Sequence, residues 1–454
     1  MQTIADNYKT GQESKKTASS ERRAASPGVP ADSGFCVSDS PSEVYTISCL
    51  ENKFELHDLA SRILLDHTFH NSDERTLIEN KKLPRTSLCH KTALLGGNAQ
   101  GVSVFKNLDF ERSAHFGGLL KCGSVWACPI CAEKISHGRT EELQTAFDVW
   151  HDLSPGKNNH VMVSFTIPHK IYEELEDLFS SLMDSKRALK KQAPLKKHPL
   201  KVWSVIKEQY HIQGEVTGVE TNYGGNGWHP HTHDIFFLSQ PLTHKGLLQL
   251  KDDLTSAWLY ACQQKKVNIP NLEHFIRRSI HISISPTAAE YIAKYGADFE
   301  KHKDQLLKSW GHAQELTKSH IKRAKGEKGL TPWDMLRLIK QFPTDNTIYN
   351  FYGLKWREFV RVTKGRRQLF WSKGFKSFLK SQSQKFAELC EKSDQELSEN
   401  ESGKKELLGI FSAEQWQIIL KNKLRGRVLS LALRRPFEDV IQFIYTHREV
   451  VQHE

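Results

Sequence analysis

The stretch that most constrains this chain is Gly225-Asn226-Gly227-Trp228-His229-Pro230-His231-Thr232-His233-Asp234, followed at once by an apolar run over residues 235–238. A glycine-asparagine turn leading into such a run reads as a hairpin strand. Side chains in a strand repeat every two residues, so His229, His231 and His233 share one face and Asp234 takes the other. Two neutral imidazoles on one face of a rigid strand can hold a divalent metal. An isolated pair of alternating histidines is most often a polar turn, so the rest of the chain has to supply the case for chemistry.

The flanking segments give that strand a setting. Residues 133–150 have helical spacing. Residues 160–167 (HVMVSFTI) alternate as a strand, and residues 171–191 return to helical spacing. A strand begins near His211, the turn at residues 223–227 follows, and the histidine strand covers residues 228–238. Residues 245–264 are helical and residues 279–284 (SIHISI) alternate again. Strand, helix, strand, strand, helix, strand predicts a four-stranded antiparallel sheet with helices on one face. In that topology the third strand, which carries the histidines, is central. Glu220, on the second strand, is the carboxylate candidate for a third ligand. Whether it shares the histidine face depends on a hairpin register that spacing leaves open, and His229 is the alternative.

A second metal signal precedes this unit. The block Cys122-Gly-Ser-Val-Trp-Ala-Cys128-Pro-Ile-Cys131 contains a CPxC knuckle, and two thiolates two residues apart in a tight turn suit one tetrahedral Zn2+. Zinc takes four ligands. Cys122 and Cys89 complete the set, with His90 and His115 as rivals for the fourth place. Eight cysteines in 454 residues, three of them in this block, suit a reducing cytosol and a metal site better than a disulfide framework.

After the last strand comes Ser285-Pro286-Thr287-Ala288-Ala289-Glu290-Tyr291-Ile292-Ala293-Lys294-Tyr295-Gly296. Ser285 suits an N-cap, Pro286 the first helical position and Gly296 a terminator. Tyr291 and Tyr295, four residues apart, share a helix face. Residues 301–380 then hold 19 Lys and Arg against 6 Asp and Glu, a surplus of 13 in a chain whose net charge is +11. A surplus confined to one segment favours a polyanion partner, and interleaved aromatics such as Trp333, Tyr352 and Trp356 can stack bases. The run Gly365-Arg366-Arg367-Gln368-Leu369-Phe370-Trp371-Ser372-Lys373-Gly374 offers Arg366, Arg367, Trp371 and Lys373 as DNA contacts. No run of about twenty apolar residues spans a membrane, and the N-terminus lacks the apolar centre of a signal peptide, so no membrane partner is expected.

The block Pro230-His231-Thr232-His233, with Tyr291-Ile-Ala-Lys294-Tyr295 downstream, resembles the HUH endonucleases. The CGSVWACPIC, GWHPHTH, YxxKY and GRRQLFWSKG blocks, in this order over residues 85–375, resemble bacterial plasmid rolling-circle replication initiators. The resemblance implies an α+β HUH-type core and His231 and His233 as ligands of Mg2+ or Mn2+. It further implies Tyr295 as nucleophile with Lys294 beside it, and Tyr291 at a position where relatives carry a glutamate or a second tyrosine. The implied partners are single- and double-stranded origin DNA, a host helicase and a single-strand-binding protein, in the bacterial cytoplasm. Thr232 departs from the bulky apolar residue usual between the two histidines, but it is β-branched and suits a strand. The expected organisation is a disordered tail (1–42), an adaptor region with the cysteine module (43–150), the endonuclease core (151–300) and a basic helical extension (301–392). A mostly helical C-terminal region (393–454) follows, entered through an acidic, serine-rich linker at residues 393–404. Two alternatives remain open at the level of sequence: a two-tyrosine rolling-circle transposase, and a zinc-containing DNA-binding regulator without catalysis.

Overall fold

The computed structural model describes residues 43–69, 83–94, 101–108, 113–154, 160–192, 201–283, 316–317, 329–400 and 403–448. Among these the chain is α+β, with two antiparallel sheets. Helix α1 (Glu43–Leu65) buries Leu56, Ala60 and Ile63 at helical spacing. Strands β1 (Val102–Asn107) and β2 (Ser113–Gly117) precede α2 (Pro129–Leu153). That helix begins where Pro129 fits the first turn and the Cys128 sulfur accepts the Cys131 N–H.

Next come β3 (His160–Thr166), α3 (Leu175–Lys190), α4 (Trp203–Gln209), β4 (Ile212–Gly224) and β5 (Gly227–Leu238), then α5 (His244–Gln264), α6 (Leu272–Arg278) and β6 (Ile280–Ser283). The expected strand and helix order is present, with α4 and α6 added. The hairpin loop is Gly225-Asn226, since Gly224 faces Gly227 in the register. Gly227 has φ +84°, and a Cβ there would meet the backbone of Ile171 at 2.9 Å, so both conformation and space call for glycine. The short loop fixes the register of every pair along β4 and β5.

The sheet order is β6-β3-β5-β4-β7, where β7 is Leu369–Trp371. Strand β5 is central and flanked by β3 and β4, as the topology predicts. Two expectations need correction. Among the described residues the sheet has five strands, because β7 pairs with β4 through Val216–Trp371, Thr217–Phe370 and Gly218–Leu369. Helices also lie on both faces. One face packs Phe165, Phe236 and Leu238 with α3 and α5. The other packs Met162, Val216, Ile235 and Phe237 against Leu143 and Trp150 of α2 and Phe375. Leu316 extends that second cover to Gly218, the register partner of His233, and the histidine end of the same face continues beyond it.

The remainder comprises α7 (Pro332–Gln341), α8 (Asn346–Thr363), α9 (Phe375–Gln382), α10 (Gln384–Glu391), α11 (Asp394–Glu399), β8 (Lys405–Phe411), α12 (Ala413–Lys421), α13 (Arg425–Ala432) and α14 (Phe437–Thr446). The linker expected at residues 393–404 is instead helical over Asp394–Glu399. Ser393 and Glu396 form a capping box, and Arg139 of α2 binds Asp394 at 2.8 Å. Strand β8 returns to pair with β1, giving the second sheet, β2-β1-β8. One contiguous cluster of buried side chains joins Phe54 of α1, Cys89 and Cys131, Phe236 of β5, Trp356 of α8, and Val428 and Ile444.

Candidate metal centre on the histidine strand

The period of β5 turns His229, His231 and His233 to one face and Asp234 to the other. The Asp234 carboxylate is buried there against the Lys186 ammonium of α3. Burial pushes the Lys186 pKa down, and the Asp234 charge opposes that push. The hairpin register answers the question that sequence left open. Glu220 lies directly opposite His231, on the histidine face. One carboxylate oxygen, Oε2, is 3.6 Å from His231 Nε2 and 3.5 Å from His233 Nε2. All three candidate ligand atoms lie within 4.8 Å of one another. Ligands about 2.1 Å from a common ion sit roughly 3–3.5 Å apart, so the trio fits one divalent cation. Two imidazoles and a carboxylate suit a borderline or hard ion.

Two hydrogen bonds orient the imidazoles. The His229 carbonyl accepts from His231 Nδ1 at 3.1 Å. A carbonyl cannot donate, so Nδ1 carries a proton, and Nε2 is the nitrogen left to bind an ion beside Glu220. Ser164 Oγ, the register partner of His233 on β3, is 2.8 Å from His233 Nδ1. Ser164 was not singled out from sequence. The strand alternation placed it on the right face, but only the pairing of β3 with β5 put it opposite His233.

His229 falls outside the trio. Its ring lies 5.0 Å from His231 and 4.8 Å from His169, and among the described residues its buried Nδ1 has no hydrogen-bond partner. Burial, then the neighbouring imidazoles, press its pKa down to about 2.

Tyr291, Lys294 and Tyr295 lie outside the described residues. The described ends on either side of them are informative. Strand β6 closes at Ser283, whose register partner Met162 lies on the histidine face. Leu316 packs 3.0 Å from the space a Cβ would fill at Gly218, and Gly218 is the register partner of His233.

The four cysteines converge: Cys89 joins the spaced block of Cys122, Cys128 and Cys131. The Cys89–Cys131, Cys89–Cys128 and Cys122–Cys131 sulfur separations are 3.5, 3.7 and 3.7 Å. Sulfurs about 2.3 Å from one tetrahedral zinc are about 3.8 Å apart, so the set fits that ion. The Cys122 N–H points at Cys89 Sγ at 3.3 Å, as backbone donors do toward thiolates. The sulfurs of Cys122, Cys128 and Cys89 hold the Cys131 thiol well below its usual pKa. Neither His90 nor His115 joins this set. His115 instead stacks on Phe105 at 5.6 Å.

The four basic and aromatic residues expected at DNA divide into two pairs. Arg366 is used within the fold: its guanidinium binds Glu176 of α3 and covers the Phe179 ring at 4.6 Å. Its carbonyl accepts the Trp126 indole N–H at 2.7 Å, which ties the cysteine loop to this turn. Trp371 is half-buried and donates its indole N–H to Glu142 at 3.0 Å. Arg367 and Lys373 are exposed. Trp333, Tyr352 and Trp356 are buried in the core, so those three aromatics pack side chains and are not open to bases.

No family model matches the chain, and no solved structure matches it. Two curated proteins do. One is "Protein rep" of Streptomyces lividans, 25% identical over 309 residues, covering 58% of this chain and 64% of that protein. The chain is Rep-like over that stretch. The other is the "Neomycin resistance protein" of Streptomyces cyanogenus, 30% identical over 135 residues, covering 26% of this chain and 30% of that protein. The chain spans less than two thirds of the length of either relative. Among the described residues no helix is long and apolar enough to cross a membrane.

Proposed function

We propose that this chain is a plasmid rolling-circle replication initiator of HUH type, which nicks one strand of an origin and stays joined to its 5′ phosphate. The observation that carries the reading is the trio formed by His231 and His233 of the central strand β5 and Glu220 of the neighbouring β4. Resemblance of a protein named for replication adds coarse support. A divalent ion, Mg2+ or Mn2+, held by the trio supplies a Lewis acid and a template at the scissile phosphate. Tyr295 Oη forms the new bond to phosphorus as its proton leaves. The bond from phosphorus to the 3′ oxygen breaks, and that oxygen takes up a proton to become the 3′ hydroxyl that primes synthesis. Lys294 offers positive charge to the phenolate or the phosphate. Tyr291 acts in the second cut, once the origin is regenerated. The segment that bears these residues follows Ser283, whose register position on β6 falls on the histidine face, and precedes Leu316, which packs on that face at Gly218; these two flanks support its delivery to the trio. The four cysteines hold a structural zinc that fixes the loop against Arg366.

A labelled single-stranded origin oligonucleotide tests the reading, with adducts resolved on a denaturing gel and located by peptide mass. Tyr295→Phe should abolish nicking and adduct. Tyr291→Phe should keep the first nick and impair termination. Adduct on Tyr291 in the wild type would reverse the two roles, and no cleavage with Mg2+ or Mn2+ would overturn the reading.

A further inference from the structure

The metal trio occupies one end of a row of rings. His233, His231, His229 and His169 follow one another with centroid separations of 4.9, 5.0 and 4.8 Å. His169 opens the loop between β3 and α3, and this loop is fixed to the hairpin. His169 Nδ1 donates to the Asn226 carbonyl at 2.9 Å, and Gly227 admits the Ile171 backbone where any side chain would clash. At the tip, Ile171 and Tyr172 are 62% and 72% exposed, higher than the other large hydrophobic side chains among the described residues. Two adjacent large side chains held open on a pinned loop present a ring and an aliphatic surface for contact. The Lys170 ammonium stands 5.7 Å from the Tyr172 ring centre. Of the two neighbouring acids, Glu173 is engaged by the Lys170 N–H and Glu174 is exposed.

We infer that this loop is a stacking platform for single-stranded DNA next to the scissile phosphate, with a base seated on Tyr172. The inference rests on the endonuclease reading of the trio. The row of rings leads from the metal ligands to the loop in two steps of about 5 Å beyond His231. Every base has a π-face, so a tyrosine beside a cutting site can seat an unpaired nucleotide whatever its sequence. The bases of a duplex are stacked on one another and offer no such face at mid-strand. Glu174 and the small cationic content make this a contact by stacking more than by phosphate neutralisation. Loss of Tyr172 therefore changes affinity without changing the salt dependence.

The experiment uses the full chain with its zinc, a fluorescent oligothymidylate of about twenty nucleotides, and buffer without added Mg2+ or Mn2+ so that cleavage does not run. Tyr172→Ala should weaken binding about tenfold, at an unchanged salt slope and with duplex binding unaltered. Tyr172→Trp should restore affinity, and its added indole fluorescence should fall when the oligonucleotide binds. Wild-type affinity in Tyr172→Ala, equal loss on single strand and duplex, or a wild type that does not bind the oligonucleotide would each overturn the platform. Nicking is followed separately with Mn2+. A wild type that nicks while Tyr172→Ala binds normally removes the platform and leaves the initiator reading intact. Stacking on Tyr172 without any nicking removes the initiator reading and the placement beside a scissile phosphate, and leaves Tyr172 as a single-strand contact only.

Discussion

At the scale of single residues, the candidate metal centre has a neighbour outside the trio that orients it. Ser164 Oγ fixes the ring of His233 from a neighbouring strand. Partners of this kind are commonly worth 10- to 100-fold in metal affinity. Ser164→Ala should therefore weaken Mn2+ binding by about tenfold or more in calorimetric titration, with Tm nearly unchanged. Wild-type affinity would mean that the imidazole is held by strand geometry alone. His160, on the same strand, makes a different prediction. Its ring stacks on Phe147 at 4.7 Å, and burial lowers its pKa to about 4. The unfolded chain, with a histidine pKa near 6.5, takes up the proton first. Stability is then full above about pH 6.5 and lost as pH falls toward 4, by up to about 3 kcal/mol from this residue. His160→Phe keeps the stacked ring and removes the proton, so urea unfolding of the variant should lose less stability between those limits than the wild type does.

At the scale of elements, the GRRQLFWSKG block has two jobs. Its middle becomes β7 on the edge of the main sheet, and its first arginine is consumed by Glu176, Phe179 and the Trp126 contact. Arg367 and Lys373 remain exposed. Replacing these two by alanine should flatten the salt dependence of DNA binding by about one to two units. Arg366→Ala should act mainly on stability and move the salt slope less. An equal slope change from Arg366→Ala would show that its pair with Glu176 opens when DNA binds. The cysteine loop is the other element with a definite test. Purified protein should carry about one zinc per chain. His231→Ala should retain it, and Cys131→Ser should lose it together with part of the thermal stability. Zinc lost with His231→Ala would place the ion on β5 instead.

At the scale of the whole molecule, the C-terminal segment closes the fold around the cysteine module. Arg425 of α13 is fully buried, pairs with Asp58 of α1, donates to the His90 carbonyl at 3.1 Å and covers the Phe54 ring at 4.9 Å. Gly426 follows against the backbone of Glu51, where a Cβ would come within 2.5 Å. Arg425→Ala empties a buried site and leaves the His90 carbonyl without its donor, while Lys91 at 3.0 Å still compensates Asp58, so the substitution should cost about 2–4 kcal/mol in denaturant unfolding. A loss under about 1 kcal/mol would show that water replaces the guanidinium at that interface.

The sequence determined what depends on local period and spacing. Alternation in residues 228–238 put the histidines on one face, the CPxC knuckle marked two neighbouring thiolates, and the strand and helix order predicted a central β5. It could not determine what depends on pairing between distant segments. Glu220 reaches His231 only because a two-residue loop sets the register, and Cys89 completes the cysteine set from 33 residues before Cys122. The short strand β7 has too few residues to show a period, and β8 lies about 300 residues from its partner β1. The aromatics of residues 333–356 look the same in sequence whether they meet bases or one another. Burial decided for packing at Trp333 and Trp356, because the tertiary fold supplied an apolar neighbour for each and the sequence could not say which surface they would meet.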